Sequence, residues 1–174
     1  HLTWNVPDEL PRLDTPLSVE VHLMVNQPES VVDAWLRNGA KRVIVHLEAM
    51  TDPVYVLETC RKYGAGAMLA IGPQTEAERL LAHTDFPAFQ VLAVPPGLMG
   101  QTFRDDALEK VRFLRASAPD ATIEVDGGVN DMTAPRIIAA GADLLVSASY
   151  IFGSDNPQAA YERLNRWTSS TKKN

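Results

Sequence analysis

Short apolar runs rich in β-branched residues alternate along the chain with stretches whose apolar positions recur every three or four residues. The runs are LSVEVHLMV (17–25), RVIVHL (42–47), GAMLAI (66–71), FQVLAV (89–94), ATIEVD (121–126) and DLLVSA (143–148). Most are nearly continuous in hydrophobicity, the pattern of parallel strands covered on both faces. Between them, PESVVDAWLRNGA places Val31, Val32, Trp35 and Leu36 at helical spacing. Pro28 and Glu29 suit the first turn of that helix, and Gly39 suits the position just past its end. TEAERLLAH and FRDDALEKVRFLRASAP predict two more helices. The second carries Asp105 and Asp106 early and Arg112 and Arg115 late, which matches the helix dipole. DMTAPRIIAAGA predicts a helix stopped at Gly141. NPQAAYERLNRW predicts a last helix, trailing into a polar tail over 169–174 that is expected to be disordered.

The strand starts recur every roughly 20–25 residues, with one step of about 30, the period of βα units rather than of a small solenoid repeat. Two architectures are built this way, an open doubly wound sheet and a (β/α)8 barrel. The doubly wound nucleotide-binding fold wants a glycine-rich turn after its first strand, and VHLMVNQPE is nothing like one. The pattern therefore predicts an α/β fold, a (β/α)8 TIM barrel of which this chain supplies about six βα units, strands 3–8. On this reading residues 1–174 form a single barrel domain whose first two strands are missing. The Pro- and Asp-rich opening, HLTWNVPDELPRLDTP, looks like the middle of a longer sequence.

Composition narrows the partners. At 174 residues and 45% hydrophobic, the chain is large enough to bury a real core. A net charge of -6 argues against general affinity for nucleic acid or an anionic membrane surface. Small anions remain open as ligands, because local backbone amides bind phosphate in acidic proteins as well. Cys60, the single cysteine, excludes an internal disulfide and suits a reducing cytoplasm; ETCRKYG is a helix-like context for a buried or bystander thiol.

In a barrel of this kind the chemistry gathers at the C-terminal ends of the strands. Those ends carry His22 and Met24, then His46 and Glu48, then the loop PPGLMGQTF (95–103), then Asp126-Gly127-Gly128, then Ser147-Ala148-Ser149. The last two strands occupy the places of strands 7 and 8, whose loops are the usual phosphate site of the fold. One glycine pair alone reads as a tight turn. Three such loops on neighbouring strands, with Ser149 opening a short helix, favour an anion site. His22 alone is more simply a satisfied core histidine. A carboxylate ending a buried strand is harder to leave unpartnered, and imidazole with carboxylate is a familiar divalent-cation pair. His46 and Glu48 alternate with the strand period and point the same way, either supporting that pair or packing as structural polar groups. Met24 and Met99 read as packing residues that can wall the site. Asp143 reads as a turn or cap residue, and His83 as a helix-end residue with no evident partner.

In order, VEVHLMVNQPE, VIVHLEA, VLAVPPGLMGQTF, IEVDGGVN and AGADLLVSASYIFG resemble the ribulose-phosphate 3-epimerase family over nearly the whole chain. The resemblance implies a ribulose-phosphate-binding barrel and an isomerase of the pentose phosphate pathway. Such an enzyme interconverts ribulose 5-phosphate and xylulose 5-phosphate through an enediolate at C3. It implies a divalent metal ion (Zn, Fe, Mn or Co), held in part by His22 and Asp126, with Asp126 also an acid/base. An opposing aspartate and a second metal histidine are implied on strand 2. The substrate is a small phosphorylated sugar, met by His22 and Met24 and by Gly97, Leu98, Met99, Gly100, Gly127, Gly128, Ala148 and Ser149. The family also implies a homo-oligomer, and the cysteine usage a cytoplasmic location. Three departures stand out: Glu20 where the family usually has Asp, Met99 for a glycine, and Ala148 for the glycine of a Gly-Ser pair. The alternatives are a related phosphosugar-barrel enzyme acting on another ketose phosphate, and a non-catalytic phospho-ligand-binding homologue. The aldolase-like relatives use an Asp-x-Lys-x-x-Asp arrangement, which VEVHLMV lacks.

Overall fold

A computed structural model describes residues 5–97 and 100–170. Six strands form one parallel sheet in sequence order: β1 (Glu20–Leu23), β2 (Arg42–His46), β3 (Gly66–Ile71), β4 (Ala88–Leu92), β5 (Thr122–Asp126) and β6 (Leu144–Val146). The sheet curls as a half-barrel with β1 and β6 at its edges, as the six βα units predict. The helices are α1 (Val32–Arg37), α2 (Pro53–Lys62), α3 (Asp106–Ser117), α4 (Ala134–Ala140), α5 (Ser149–Phe152) and α6 (Pro157–Ser170).

The strands alternate strictly despite their continuous hydrophobicity, because each face meets a different apolar environment. Val43, Val45, Leu69, Ile71, Phe89, Val91, Ile123 and Val125 pack outward among Trp35, Val56, Leu80, Val111, Leu114 and Ile137. Inward, Ile44, Met68, Ala70 and Ala88 form a smaller cluster with Leu144. The same inward parity carries His22, His46, Gln90, Glu124 and Asp126. One chain face thus builds the hydrophobic core, while the other mixes apolar packing with the titratable groups.

Two predicted helices form differently. PESVVDAWLRNGA splits into a 3₁₀ turn, Pro28–Ser30, and the short α1. Glu29 does not serve its own helix. Its carboxylate accepts from the backbone amides of Thr51 and Asp52 (2.7 Å), at the entrance to α2. TEAERLLAH becomes a 3₁₀ segment, Ala77–His83, in which Ala77 and Leu80 are buried. Three residues per turn put those two positions on one side. Thr75, just before the segment, donates its hydroxyl to Glu48 of the preceding βα unit.

Other expectations stand. Gly141 caps α4 in the left-handed region at φ 113°. Arg115, late in α3, donates to the carbonyls of Gly141 and Pro119 and pairs with Asp143 at 2.5 Å. Asp143 also accepts from the Ile123 amide, so it tethers α3 to β5 rather than taking part in chemistry. Cys60 is buried, and burial pushes its thiol up to about 11, which makes it inert. Helix α6 continues to Ser170, so the first residues of the expected tail are helical; 171–174 lie outside the described residues. Among the described residues, no helix is long and apolar enough to cross a membrane.

Glu124 is 3% exposed in the half-barrel interior and accepts from Gln90 Nε2 at 2.7 Å. Burial pushes its carboxyl up to about 7, an effect the Gln90 hydrogen bond only partly opposes. The folded state therefore holds this proton more tightly than the unfolded chain, whose Glu titrates near 4.5. Stability falls as pH rises from that range through about 7, by on the order of 3 kcal/mol. Glu124→Gln is expected to abolish this loss. Urea unfolding at pH 5 and pH 8 should show the variant gaining on wild type at the higher pH; equal pH dependence in both would contradict the buried-acid assignment.

Candidate functional site

β1 and β5 are not neighbours in the sheet, yet its curvature brings their C-terminal ends together across the interior. His22 Nδ1 lies 3.6 Å from Asp126 Oδ2, and both side chains are largely buried. On its other side, His22 Nε2 lies 2.8 Å from His46 Nε2 on β2, and the two rings stack with centroids 5.0 Å apart. His46 Nδ1 in turn lies 3.4 Å from Glu48 Oε2. Four titratable side chains therefore stand in a row, Glu48–His46–His22–Asp126, rather than around one centre. Among the described residues, no three His, Cys, Asp or Glu side chains converge closely enough to hold a metal ion by themselves.

The Glu48 end is firmly built. Its Oε1 accepts from the Gly72 amide at 2.8 Å and from the Thr75 hydroxyl. Burial opposes its ionisation, but hydrogen bonds from His46, Thr75 and Gly72 outweigh that and hold the carboxyl at about 2. The 72–75 loop is itself secured from α3. Lys110 Nζ donates to the carbonyls of Pro73 and Thr75, both at 2.7 Å, and more weakly to Gly72 at 3.3 Å. Sequence reasoning missed Lys110, Thr75 and Gly72. They reach Glu48 over 24 residues or more, and nothing local in TEAERLLAH or EKVRF signals it.

At the Asp126 end the chain turns sharply. Gly127 and Gly128 have φ of 106° and 66°. A Cβ on Gly127 would stand 2.6 Å from Val94 Cγ2, and one on Gly128 closer still to the Phe103 backbone nitrogen. Only glycine makes this turn, so the turn-forming role holds whether or not a ligand binds. Asn130 then stabilises the loop, its side-chain oxygen accepting from the amides of Met132 and Thr133. Thr133 Oγ1 donates to the Gly128 carbonyl at 3.1 Å.

A cavity of about 680 Å³ opens over this end of the sheet. His22, Met24 and Asp126 line it, as do Gly97 and Gly100 of the loop after β4. Gly127 and Gly128 after β5 and Ala148 and Ser149 after β6 complete the list of sequence-predicted residues in it. Leu98 and Met99, also predicted there, lie outside the described residues. Ser149 opens α5, as expected, and Ser147 Oγ donates to the Val129 carbonyl, tying the last two loops together. Glu48 and His46 face a second, adjoining cavity of about 490 Å³, shared with Gly72, Thr75 and Arg104. His22 and His46 thus form the wall between the two.

Glu20, the departure from the usual aspartate, pairs with Arg42 at 2.8 Å on the neighbouring strand, directly opposite in register. The longer side chain serves that cross-strand ion pair at the N-terminal end of β1. Glu20 precedes His22 by two residues on the same face of β1.

The ribulose-phosphate 3 epimerase family model matches residues 2–152. A ribulose-phosphate 3-epimerase of Chlamydia pneumoniae is 40% identical over 149 residues, covering 82% of this chain and 65% of that protein. The chain thus spans somewhat less than two thirds of that relative's length. One from Mycobacterium tuberculosis (strain ATCC 25618 / H37Rv) is 35% identical, covering 95% of this chain and 77% of the relative. Among solved structures, a 3-hexulose-6-phosphate synthase from Salmonella typhimurium matches with a TM-score of 0.74 at 14% identity. It covers 94% of this chain and 78% of that one, and at such identity the likeness speaks for the barrel fold alone. The family model and the two sequence relatives go further: this chain belongs to the ribulose-phosphate 3 epimerase family.

Proposed function

We propose that this chain carries much of the active site of a metal-dependent epimerase acting on a ketopentose phosphate. The reaction interconverts ribulose 5-phosphate and xylulose 5-phosphate by moving the proton at C3. The observation that carries this reading is a single cavity that takes in both the Asp126–His22 pair and the glycine-rich loops. An acid/base carboxylate at one end and loop amides at the other suit a sugar phosphate laid between them.

In this reading the substrate phosphate rests on the loops at Gly97–Gly100, Gly127–Gly128 and Ala148–Ser149. That holds C3 beside Asp126. An ionised Asp126 takes the C3 proton; the C3–H electron pair forms the C2=C3 bond, and charge moves onto the C2 oxygen as an enediolate. Return of a proton to the opposite face inverts the centre. That second acid belongs, by the family resemblance, to a strand preceding β1. Met24 lines the apolar wall of the cavity and helps exclude water from the carbanion-like species.

A divalent cation fits the donors present. His22 Nδ1 and Asp126 Oδ2, one nitrogen and one oxygen 3.6 Å apart, have a separation that a single ion with bonds of about 2.1 Å can span. They make half a site, and the remaining donors belong, by the same resemblance, to strands before β1. When bound, the ion (Zn, Fe, Mn or Co) supplies electrostatic stabilisation for the charge developing on the C2 oxygen. The proposal extends to a cytoplasmic homo-oligomer of the pentose phosphate pathway, which a single buried cysteine suits.

Asp126→Asn is expected to reduce exchange of the C3 proton with solvent by about 10²-fold or more, while sugar-phosphate affinity changes little. Deuterium incorporation in D₂O followed by NMR reads the first, and calorimetry the second. Undiminished exchange would remove Asp126 from the acid/base role. His22→Ala is expected to lower metal content after dialysis, measured by elemental analysis. A fully metallated variant would take His22 out of the ligand set.

A further inference from the structure

The row Glu48–His46–His22–Asp126 has a direction. A neutral imidazole carries one N–H, so the donor and acceptor roles along the row are decided together. If His46 bears its proton on Nδ1, facing Glu48, its Nε2 is an acceptor. His22 must then donate from Nε2 across the 2.8 Å contact, and its Nδ1 lone pair opens toward Asp126. In the reverse direction His22 gives its Nδ1 proton to Asp126, and a bare lone pair of His46 confronts Glu48. The two carboxylates therefore compete to orient the same pair of rings.

Glu48 is placed to win. The two carboxylates stand at similar range, 3.4 Å and 3.6 Å, so what distinguishes them is how each is held. Glu48 Oε1 is fixed by the Gly72 amide and the Thr75 hydroxyl, and Lys110 anchors their loop, which aims Oε2 at His46. A carboxylate oxygen in that position can only accept.

We propose that Glu48 and His46 are positioning residues that set the tautomer of His22, keeping its Nδ1 lone pair open on the Asp126 side for a divalent cation. The inference rests on the reading of His22 and Asp126 as a cation-holding pair, but the tautomer itself can be read without any metal. It also gives a function to the adjoining cavity wall: the Gly72–Thr75 loop and Lys110 act on the site through two imidazoles without touching the substrate.

Glu48→Gln tests the direction with almost no change of shape. The Gly72 and Thr75 donors require the amide oxygen on their side, so the amide NH₂ faces His46 Nδ1 and donates to it. The row then reverses: His46 donates from Nε2, and the His22 proton moves to Nδ1. Long-range ¹H–¹⁵N NMR of the ¹⁵N-labelled chain at pH about 8.5, where imidazoles are ordinarily neutral, distinguishes the two forms. Wild type is expected to show His22 protonated at Nε2, and Glu48→Gln to show it protonated at Nδ1. A wild-type His22 protonated at Nδ1 overturns the proposal without need of the variant, and so does an unchanged tautomer in a folded Glu48→Gln. Zn²⁺ titration is the separate arm. Glu48→Gln should weaken Zn²⁺ binding about 10–100-fold. A tautomer switch with unchanged Zn²⁺ affinity overturns the cation role of the open lone pair. Unchanged affinity in His22→Ala sinks the underlying cation reading instead.

Discussion

Polar side chains on the inner face of this curled sheet find their partners across strands, because the curvature removes them from most of the solvent. In this chain that constraint falls on the inward-facing parity of β1, β2, β4 and β5. Below the strand ends, Gln90 Nε2 donates to Glu124 at 2.7 Å, while the buried Gln90 Oε1 meets no hydrogen-bond partner among the described residues. Above them, His22 is held between His46 and Asp126, and Glu48 closes the row from outside the strand. The remaining architecture keeps those few ångströms in place. The outward faces bury Val43, Leu69, Phe89, Val91, Ile123 and Val125 under the helices, and that rigid core fixes the strand ends.

The two ends of the site are made by different means. At the carboxylate end, long-range side-chain contacts do the positioning: Lys110 from α3 holds a loop, the loop holds Glu48, and Glu48 faces His46. At the loop end the positioning is local and covalent. Positive φ at Gly127 and Gly128, with Val94 and Phe103 filling the space a side chain would need, leaves a single way through the turn. A backbone fixed in this way costs little to reorganise on binding. Ala148 in place of the family's glycine still offers its amide, and it lines the same cavity.

The architecture was legible because its signals are local and repeated. Six apolar runs at βα spacing, with Gly141 ending one helix, needed no knowledge of the tertiary structure. The clustering of His22, Asp126 and the glycine loops followed from a rule of the fold, that strand C-termini share one face. What could not be read was whatever depended on a distant partner. Glu29 looked like a helix-start residue, yet it bonds across to the next βα unit, and Thr75, at the start of another predicted helix, bonds back to Glu48; one helix is split and the other is 3₁₀. The pairing of His46 with His22 was equally invisible, since spacing shows that His46 and Glu48 point the same way but not what they meet.

In the proposed function, one cavity receives the sugar at Asp126 and His22 and its phosphate on the loop amides. The most direct measurement is to titrate ribulose 5-phosphate into the ¹⁵N-labelled chain and follow every backbone amide by NMR. Saturable shifts concentrated at Gly127, Gly128, Ala148 and Ser149, with only small ones at Gly72 and Thr75, are the expected result. Shifts confined to Gly72, Thr75 and their cavity, or none at the glycine loops, would contradict it.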